Sequence, residues 1–347
     1  MSKALIAMSG GVDSSVAAYL SKSAGYDCIG TMMKLYDGEN GCCSAEDAED
    51  ARAVAASLDI PFYVFNFKDD FDAKVIRRFV DAYKNGRTPN PCIDCNRFLK
   101  FERLLNRAAQ IECGKIVTGH YARIQFDDNR YILKKGVDET KDQSYVLYAM
   151  TQSQLSRTLL PVGALRKSEV REIALERRFV NAKKRDSQDI CFVSDKDYSG
   201  FIRRYTGEEF PKGDFLDTDG NVIGRHNGII CYTIGQRKGI GLTSPAPLYV
   251  CGVSPEKNTV TLGNNEDLYS KFLEISDINL IPFDNFRERL TLKVKIRYKQ
   301  KEQPAYVWQT SPTTVSVEFF EPQRAVTKGQ SAVLYADEIV IGGGTIN

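Results

Sequence analysis

Three cysteines and one small-residue turn carry the chemistry available to this sequence. Cys92 and Cys95 share the loop Gly86-Arg87-Thr88-Pro89-Asn90-Pro91-Cys92-Ile93-Asp94-Cys95-Asn96-Arg97, and Cys191 lies in Asp186-Ser187-Gln188-Asp189-Ile190-Cys191-Phe192-Val193. Thiolates attack electrophiles, carry sulfur and bind soft metals. Taken alone, Cys191 between bulky apolar neighbours reads as a core thiol. The turn is Ser9-Gly10-Gly11-Val12-Asp13-Ser14-Ser15, set between an apolar run and an amphipathic helix. Glycines let the backbone approach an anion closely, and the first N–H groups of the following helix point at it. Ser9, Ser14 and Ser15 add hydroxyl donors, and the turn reads as a phosphate cradle. A plain strand-to-helix turn capped by Asp13 or Ser14 is the simpler alternative.

These groups must be held by a larger frame. Residues 4–8 read as a first strand and Val16 to Gly25 as a helix with its stop; Tyr26 to Leu35 reads as a second strand with Met33 near its end. Residues 44–58 read as a helix, Pro61 to Phe67 as a strand, and Phe71 to Tyr83 as a helix closing at Asn85-Gly86. This alternation predicts an α/β fold with a doubly wound parallel sheet, whose ligands bind outside the carboxyl ends of the strands. There the phosphate cradle, Met33 and the loop Gly119-His120-Tyr121 after Ile116-Val117-Thr118 should converge. The prolines at 89 and 91 predict an extended loop and Asn96 a cap for a helix over 97–109. That would set Cys95 at a helix N-terminus, where the dipole and Arg97 favour thiolate.

Residues 124–138 read as a β-hairpin ending at Gly136, and Lys141-Asp142-Gln143-Ser144-Tyr145 as the opening of a helix. Residues 151–185 read as helical and basic, a surface able to meet phosphates. Beyond residue 206 strand–turn–strand patterns take over, so this half reads as all-β. Near its end Leu292 to Lys301 alternates, with Lys293, Lys295, Arg297, Lys299 and Lys301 on one face. Such a stripe suits a lysine-guarded edge strand or a nucleic-acid backbone.

Composition sets the bounds. The 347 residues are 42% hydrophobic and 27% charged, with a net charge of +2 and nine cysteines. That is an ordinary globular balance, and any nucleic-acid surface must come from local clustering. Nine cysteines without a signal-peptide pattern argue for thiol chemistry or metal ligation. No apolar run reaches the roughly 20 residues of a membrane span, so the expectation is a cytoplasmic protein with no membrane partner.

SGGVDSS directly after a first strand resembles the PP-loop of the ATP pyrophosphatases, which lacks the Gly-Lys-Ser/Thr ending of a Walker loop. Together with Gly119-His120-Tyr121, TPNPCIDCN, KDQSY, SQDICFV and PQRAVTKGQSAVLY, it makes the whole chain similar to the bacterial tRNA-specific 2-thiouridylases, the MnmA family. The resemblance implies a PP-loop catalytic domain over 1–205 with the basic helical tRNA-binding segment near 151–185, a small central β domain over 206–270 and a C-terminal β-barrel over 271–347.

It implies ATP-dependent transfer of sulfur to carbon 2 of the wobble uridine in tRNAs for Lys, Glu and Gln, with release of AMP and pyrophosphate. Cys191 matches the persulfide carrier and Cys95 the nucleophile, a route that ends in a Cys95–Cys191 disulfide and calls for a persulfide sulfur-donor protein. ATP would be held by Ala7, Met8, Ser9, Gly10, Gly11, Val12, Asp13, Ser14, Met33 and Gly119. The tRNA would meet His120, Lys141, Asp142, Gln143, Arg297, Tyr298 and Gln330. On chemical grounds Asp13 is the candidate ligand for Mg2+ accompanying ATP. Some family members carry Asp where this chain has Cys92. The three cysteines Cys92, Cys95 and Cys191 therefore leave open a 4Fe-4S cluster with one open iron, or zinc with a further ligand; Cys42-Cys43 reads as incidental. Two other classes stay open: an RNA-binding protein with a degenerate nucleotide site, and an adenylating enzyme with a small-molecule acceptor.

Overall fold

The computed structural model describes residues 2–37, 44–186, 190–193 and 196–347. Cys42 and Cys43 lie outside the described residues, as do Ser187, Gln188 and Asp189. The chain divides into two compact units, Met1–Val75 with Cys92–Ser194 and Ala336–Gly342, and Ile76–Pro91 with Asp195–Tyr335 and Gly343–Asn347.

The first unit begins with β1 (Lys3–Ala7), α1 (Val12–Ser23), β2 (Asp27–Lys34), α2 (Ala45–Ser57) and β3 (Phe62–Asn66). Ala4, Leu5 and Ile6 have no exposed surface, as expected of a parallel strand covered on both faces. Ser44 and Asp47 form a capping box that starts α2. Next comes α3 (Lys68–Phe71), which runs into a π-helical turn, Asp72–Ile76; α4 (Arg77–Lys84) belongs to the second unit. Then follow α5 (Pro91–Asp94), a π-helical stretch over Cys95–Arg103 and α6 (Leu104–Gln110). β4 (Lys115–Val117), the hairpin β5 (Ala122–Asp127) and β6 (Arg130–Lys135), α7 (Gln152–Ser156), β7 (Thr158–Leu159) and α8 (Lys167–Glu176) complete the unit.

Its sheet is parallel in the order β3-β2-β1-β4-β7. The order reverses at β1: later strands are added first on one side and then on the other, which opens a crevice at the carboxyl ends of β1 and β4. The expected doubly wound α/β fold is the one observed. α1 closes one face of the sheet through Val12, Val16, Ala17 and Ala18. Each fully buried Val side chain there contributes about 1.5–3 kcal/mol.

The second unit contains α9 (Tyr198–Thr206) and a sheet of β8 (Gly213–Leu216), β9 (Val222–His226), β10 (Tyr249–Ser254) and β11 (Thr259–Gly263), ordered β10-β11-β8-β9. Phe215, Tyr232, Val250, Val260 and Leu262 form its core. The C-terminal strands are β12 (Tyr269–Leu280), β13 (Leu290–Lys295), β14 (Gln303–Ser311), β15 (Thr314–Arg324), β16 (Ser331–Ala336) and β17 (Ile339–Ile346). They run β12-β15-β14-β13-β16-β17, and β12 pairs with β17 to close a six-stranded barrel.

Four local expectations are corrected. The helix expected over 97–109 begins a turn earlier, at Pro91, because proline fits the first helical position. Asn96 is therefore no cap: it is buried and its Nδ2 donates to the Val146 carbonyl at 3.1 Å. Lys141 to Tyr145 opens only a short 3-10 turn, Ser144–Leu147, anchored by the Asp142 carboxylate on Ser144 N and Oγ. The alternating stripe ends at Lys295, and β13 pairs on both sides, with β14 and β16, so it is not an edge strand.

Candidate functional site

The turn after β1 is built as an open helix N-terminus. Gly11 is the N-cap of α1 and supplies no capping side chain, so neither Asp13 nor Ser14 caps the helix. The serines chiefly shape the loop. Ser14 Oγ accepts from Ser9 N at 3.1 Å and donates to the Gly11 carbonyl at 3.0 Å, while Ser15 Oγ donates to the same carbonyl at 3.1 Å. Ser14 and Ser15 are buried, as are the side chains of Met8, Val12 and Met33, so toward an anion these positions offer mainly backbone.

Two glycines are dictated by close approach. Gly10 has φ +74°, and a Cβ there would stand 2.4 Å from the Asp47 carbonyl oxygen at the start of α2. Gly119, just beyond β4, packs on the loop itself: its Cβ would lie 2.7 Å from both Asp13 C and Ser14 N. At the crevice between β1 and β4 the Gly119 backbone thus lies directly against the backbone of the loop.

Around this loop lies a polar cluster that sequence reasoning largely missed. Asn181 Nδ2 donates to the Gly10 carbonyl at 2.8 Å and to Ser15 Oγ at 3.0 Å; its Oδ1 is buried without a hydrogen-bond partner. Asp13 Oδ1 accepts from the Tyr121 hydroxyl and from Lys167 Nζ, each at 2.7 Å. Lys167 also pairs with Asp186 Oδ1 at 2.7 Å, and Asp186 is met in turn by Lys141 at 2.8 Å and Arg171 at 3.2 Å. Burial raises the Asp186 pKa, but hydrogen bonds from Lys141 and Lys167 outweigh it and hold the carboxyl below its ordinary range. Burial, followed by the Asp13 charge, pushes the Tyr121 hydroxyl far above its ordinary value, so it stays a donor. Lys184 pairs with Asp47 at 2.8 Å and Asp50 at 2.5 Å.

The basic surface expected over 151–185 is therefore depleted: Lys167, Arg171 and Lys184 are spent on carboxylates within the unit. A signal for this was present. Lys167 and Arg171 are four apart on α8, like charges that repel unless acids from elsewhere answer them.

Several residues expected to meet tRNA make hydrogen bonds within their own unit. His120 is buried; its Nδ1 lies 2.7 Å from Thr118 Oγ1 and its Nε2 3.4 Å from Lys100 Nζ. Burial, with the Lys100 charge beside it, holds its pKa well below the ordinary value. The ring is neutral, and because an ammonium only donates, Nε2 accepts and Nδ1–H donates to Thr118. Gln143 Oε1 accepts from Tyr121 N at 3.0 Å, and Asp142 Oδ1 accepts from Gly136 N at 3.0 Å. In the second unit Arg297 donates to the Ala325 carbonyl at 2.7 Å and to Thr327 Oγ1 at 3.0 Å, and Gln330 Nε2 donates to the Thr88 carbonyl at 2.9 Å. Tyr298 is 37% exposed, with the Lys295 ammonium 5.7 Å from the centre of its ring.

The two cysteine segments share a neighbour. Phe192, beside Cys191, meets Phe71 of α3 edge to face at 5.7 Å between ring centroids. The π-helical stretch that opens with Cys95 also packs on α3. π-turns inside helices frequently mark functional sites, because the extra residue re-aims the side chains around it. Cys95 and Cys191 are half-buried and Cys92 is exposed.

Among the described residues no group of three His, Cys, Asp or Glu side chains is gathered closely enough to hold a metal ion. At Asp13, the expected Mg2+ ligand, Oδ1 is paired with the Lys167 ammonium at 2.7 Å.

Family models match along nearly the whole chain: a tRNA methyl transferase HUP domain over residues 2–195, a tRNA methyl transferase PRC-barrel domain over 199–264 and an aminomethyltransferase beta-barrel domain over 270–346. The tRNA-specific 2-thiouridylase MnmA of Clostridioides difficile (strain 630) is 50% identical over 99% of this chain and 98% of its own length. The chain belongs to the tRNA-specific 2-thiouridylase family. A second member, from Lachnoclostridium phytofermentans, is 49% identical over 100% of this chain and 99% of its own length. In this 2-thiouridylase the nucleotide crevice and both thiol-bearing segments belong to one unit. Among the described residues no helix is long and apolar enough to cross a membrane.

Proposed function

We propose that this chain thiolates carbon 2 of the wobble uridine of tRNAs for Lys, Glu and Gln, in the cytoplasm, using ATP and a sulfur atom delivered by a persulfide-bearing protein. The observation that carries the reading is the joint packing of the Cys95 and Cys191 segments on α3, in the unit that holds the open loop between β1 and β4.

A pyrimidine carbonyl at carbon 2 is a poor electrophile, so its oxygen first attacks the α-phosphorus of ATP and pyrophosphate leaves. The first-turn amides of α1 take the leaving anion, and Gly119 keeps them in place. The base must be flipped out of its stack to reach this crevice. The terminal sulfur of a persulfide on Cys191 then attacks carbon 2, and AMP departs with the former carbonyl oxygen. Cys95 as thiolate attacks the inner Cys191 sulfur, which breaks the bond to the transferred sulfur and leaves a Cys95–Cys191 disulfide and the thiocarbonyl. A reductant restores the two thiols. The electron count closes, because one sulfur–sulfur bond is lost and one is formed.

Incubation of the protein with ATP, an unmodified tRNA transcript and a persulfide donor, followed by nucleoside mass spectrometry, tests the reading. The expected product is 2-thiouridine at the wobble position together with AMP. Absence of 2-thiouridine with a transcript that the Clostridioides difficile relative thiolates under the same conditions would overturn it.

A further inference from the structure

The loop after β1 contains no cation. Ser9 to Ser15 holds no Lys, Arg or His, and its one charge, Asp13, repels an anion. A pyrophosphate group brings several negative charges to this loop, which backbone dipoles alone answer only in part. Some cation must come from another element.

We propose that Lys167 is the phosphate-binding lysine of this site, delivered from α8. Its Nζ lies 2.7 Å from Asp13 Oδ1, inside the loop sequence, and 5.8 Å from the centre of the Tyr121 ring. The residue is only 9% exposed, so its ammonium is largely stripped of water. It is neutralised by Asp13 and Asp186 together. Stability is a weak reason for such an arrangement, because buried ion pairs often contribute little net free energy. The pattern of pairing points instead to a ligand: Asp186 is shared by Lys141, Lys167 and Arg171, so one of the three can leave it, and Asp138, which accepts from Lys167 N at 3.0 Å, balances the cluster at three cations to three carboxylates. Since Lys141 and Arg171 keep Asp186 paired, Lys167 can turn from it to an entering phosphate without stranding a buried carboxylate. Asp13 retains the Tyr121 hydroxyl.

This assignment rests on the ATP-dependent reading above, and the test separates the two. The affinities of ATP, inorganic pyrophosphate and adenosine are measured by titration calorimetry on the full chain, with thermal melts run alongside. Lys167→Met should weaken ATP and pyrophosphate by about tenfold to a hundredfold, the cost of one charge-assisted hydrogen bond, and leave adenosine unchanged. Asp186→Asn should act in the opposite sense, strengthening ATP and pyrophosphate by removing a competitor for the ammonium, again with adenosine unchanged. That second variant keeps the test alive if Lys167→Met does not fold. Unchanged ATP affinity in Lys167→Met, an equal loss for adenosine, or weaker pyrophosphate binding in Asp186→Asn would each overturn the assignment. A wild-type chain that binds no ATP would sink the thiolation reading itself.

Discussion

Gly119→Ala isolates the contact on which the nucleotide crevice depends. The added Cβ would stand 2.7 Å from Asp13 C, 2.7 Å from Ser14 N and 2.9 Å from Asp13 O. Non-bonded carbon atoms rest at about 3.5–4.0 Å, so roughly 0.8 Å of overlap must be relieved. The obstructing atoms are backbone and cannot rotate away as a side chain would. Either β4 withdraws or the first turn of α1 shifts, and that turn carries the amides proposed above to receive the phosphates. Overpacking of this kind costs about 1–3 kcal/mol of stability. A displacement near 1 Å of a positioned group costs about a hundredfold in rate. Urea unfolding measures the first effect and AMP release in the presence of tRNA the second, while ATP titration reports whether the shifted turn still binds the nucleotide. Gly114→Ala is the control, because the nearest atom to its Cβ is Ser2 Oγ at 3.9 Å and its φ is not positive. If Gly119→Ala matches Gly114→Ala in stability and ATP affinity, the argument that Gly119 sets the loop is wrong.

Cys95→Ser and Cys191→Ser should each abolish formation of 2-thiouridine while tRNA-dependent AMP release persists, which nucleoside mass spectrometry and nucleotide chromatography report on the same samples. Asn181→Ala removes the donor to the Gly10 carbonyl and Ser15 Oγ and should cost about 1–3 kcal/mol in urea unfolding, with weaker ATP binding. Both histidines have pKa values lowered by burial in the folded chain, so below the unfolded value near 6.5 the unfolded state binds more protons and stability rises with pH. Unfolding followed from pH 7 to pH 5 should therefore show a loss of stability on acidification, and His120→Gln should flatten it; an unchanged slope would contradict the neutral, buried ring.

Much of the frame was legible because it is written in local patterns. The alternation of apolar runs and helices gave the parallel sheet, and Ser-Gly-Gly followed by a helix gave the anion loop. Errors fell where two local signals competed. Asn96 is a good cap residue, yet Pro91 is a better first helical residue, so the helix starts a turn earlier and Cys95 sits inside it. That removes the helix-end dipole as a reason for thiolate at Cys95 and leaves the π-helical register as the local device that aims it. The lysine stripe failed for a different reason. Alternation continues in the letters to Lys301, but the strand stops at Lys295, and beyond it Arg297 bonds the Ala325 carbonyl and Thr327.

The least legible part of the site is its electrostatics, because partnership between charges is a long-range fact. Lys167 and Asp13 are 154 positions apart, and in sequence Lys167 is indistinguishable from the other cations between 151 and 185. Only the fold shows that it is buried while neighbours such as Arg166 and Arg178 lie outside the cluster. The same reasoning decides between two uses of a basic segment. A surface built to track an RNA backbone keeps its cations in water, available to exchange counterions; one that completes a phosphate site surrenders them to carboxylates inside the molecule. Three of the cations on and after α8 take the second course, so the salt dependence of tRNA binding should be shallower than a count of Lys and Arg between 151 and 185 implies. A filter-binding series in potassium chloride measures that slope. A slope that required all nine cations Arg157, Arg166, Lys167, Arg171, Arg177, Arg178, Lys183, Lys184 and Arg185 would mean that the internal pairs open when tRNA binds.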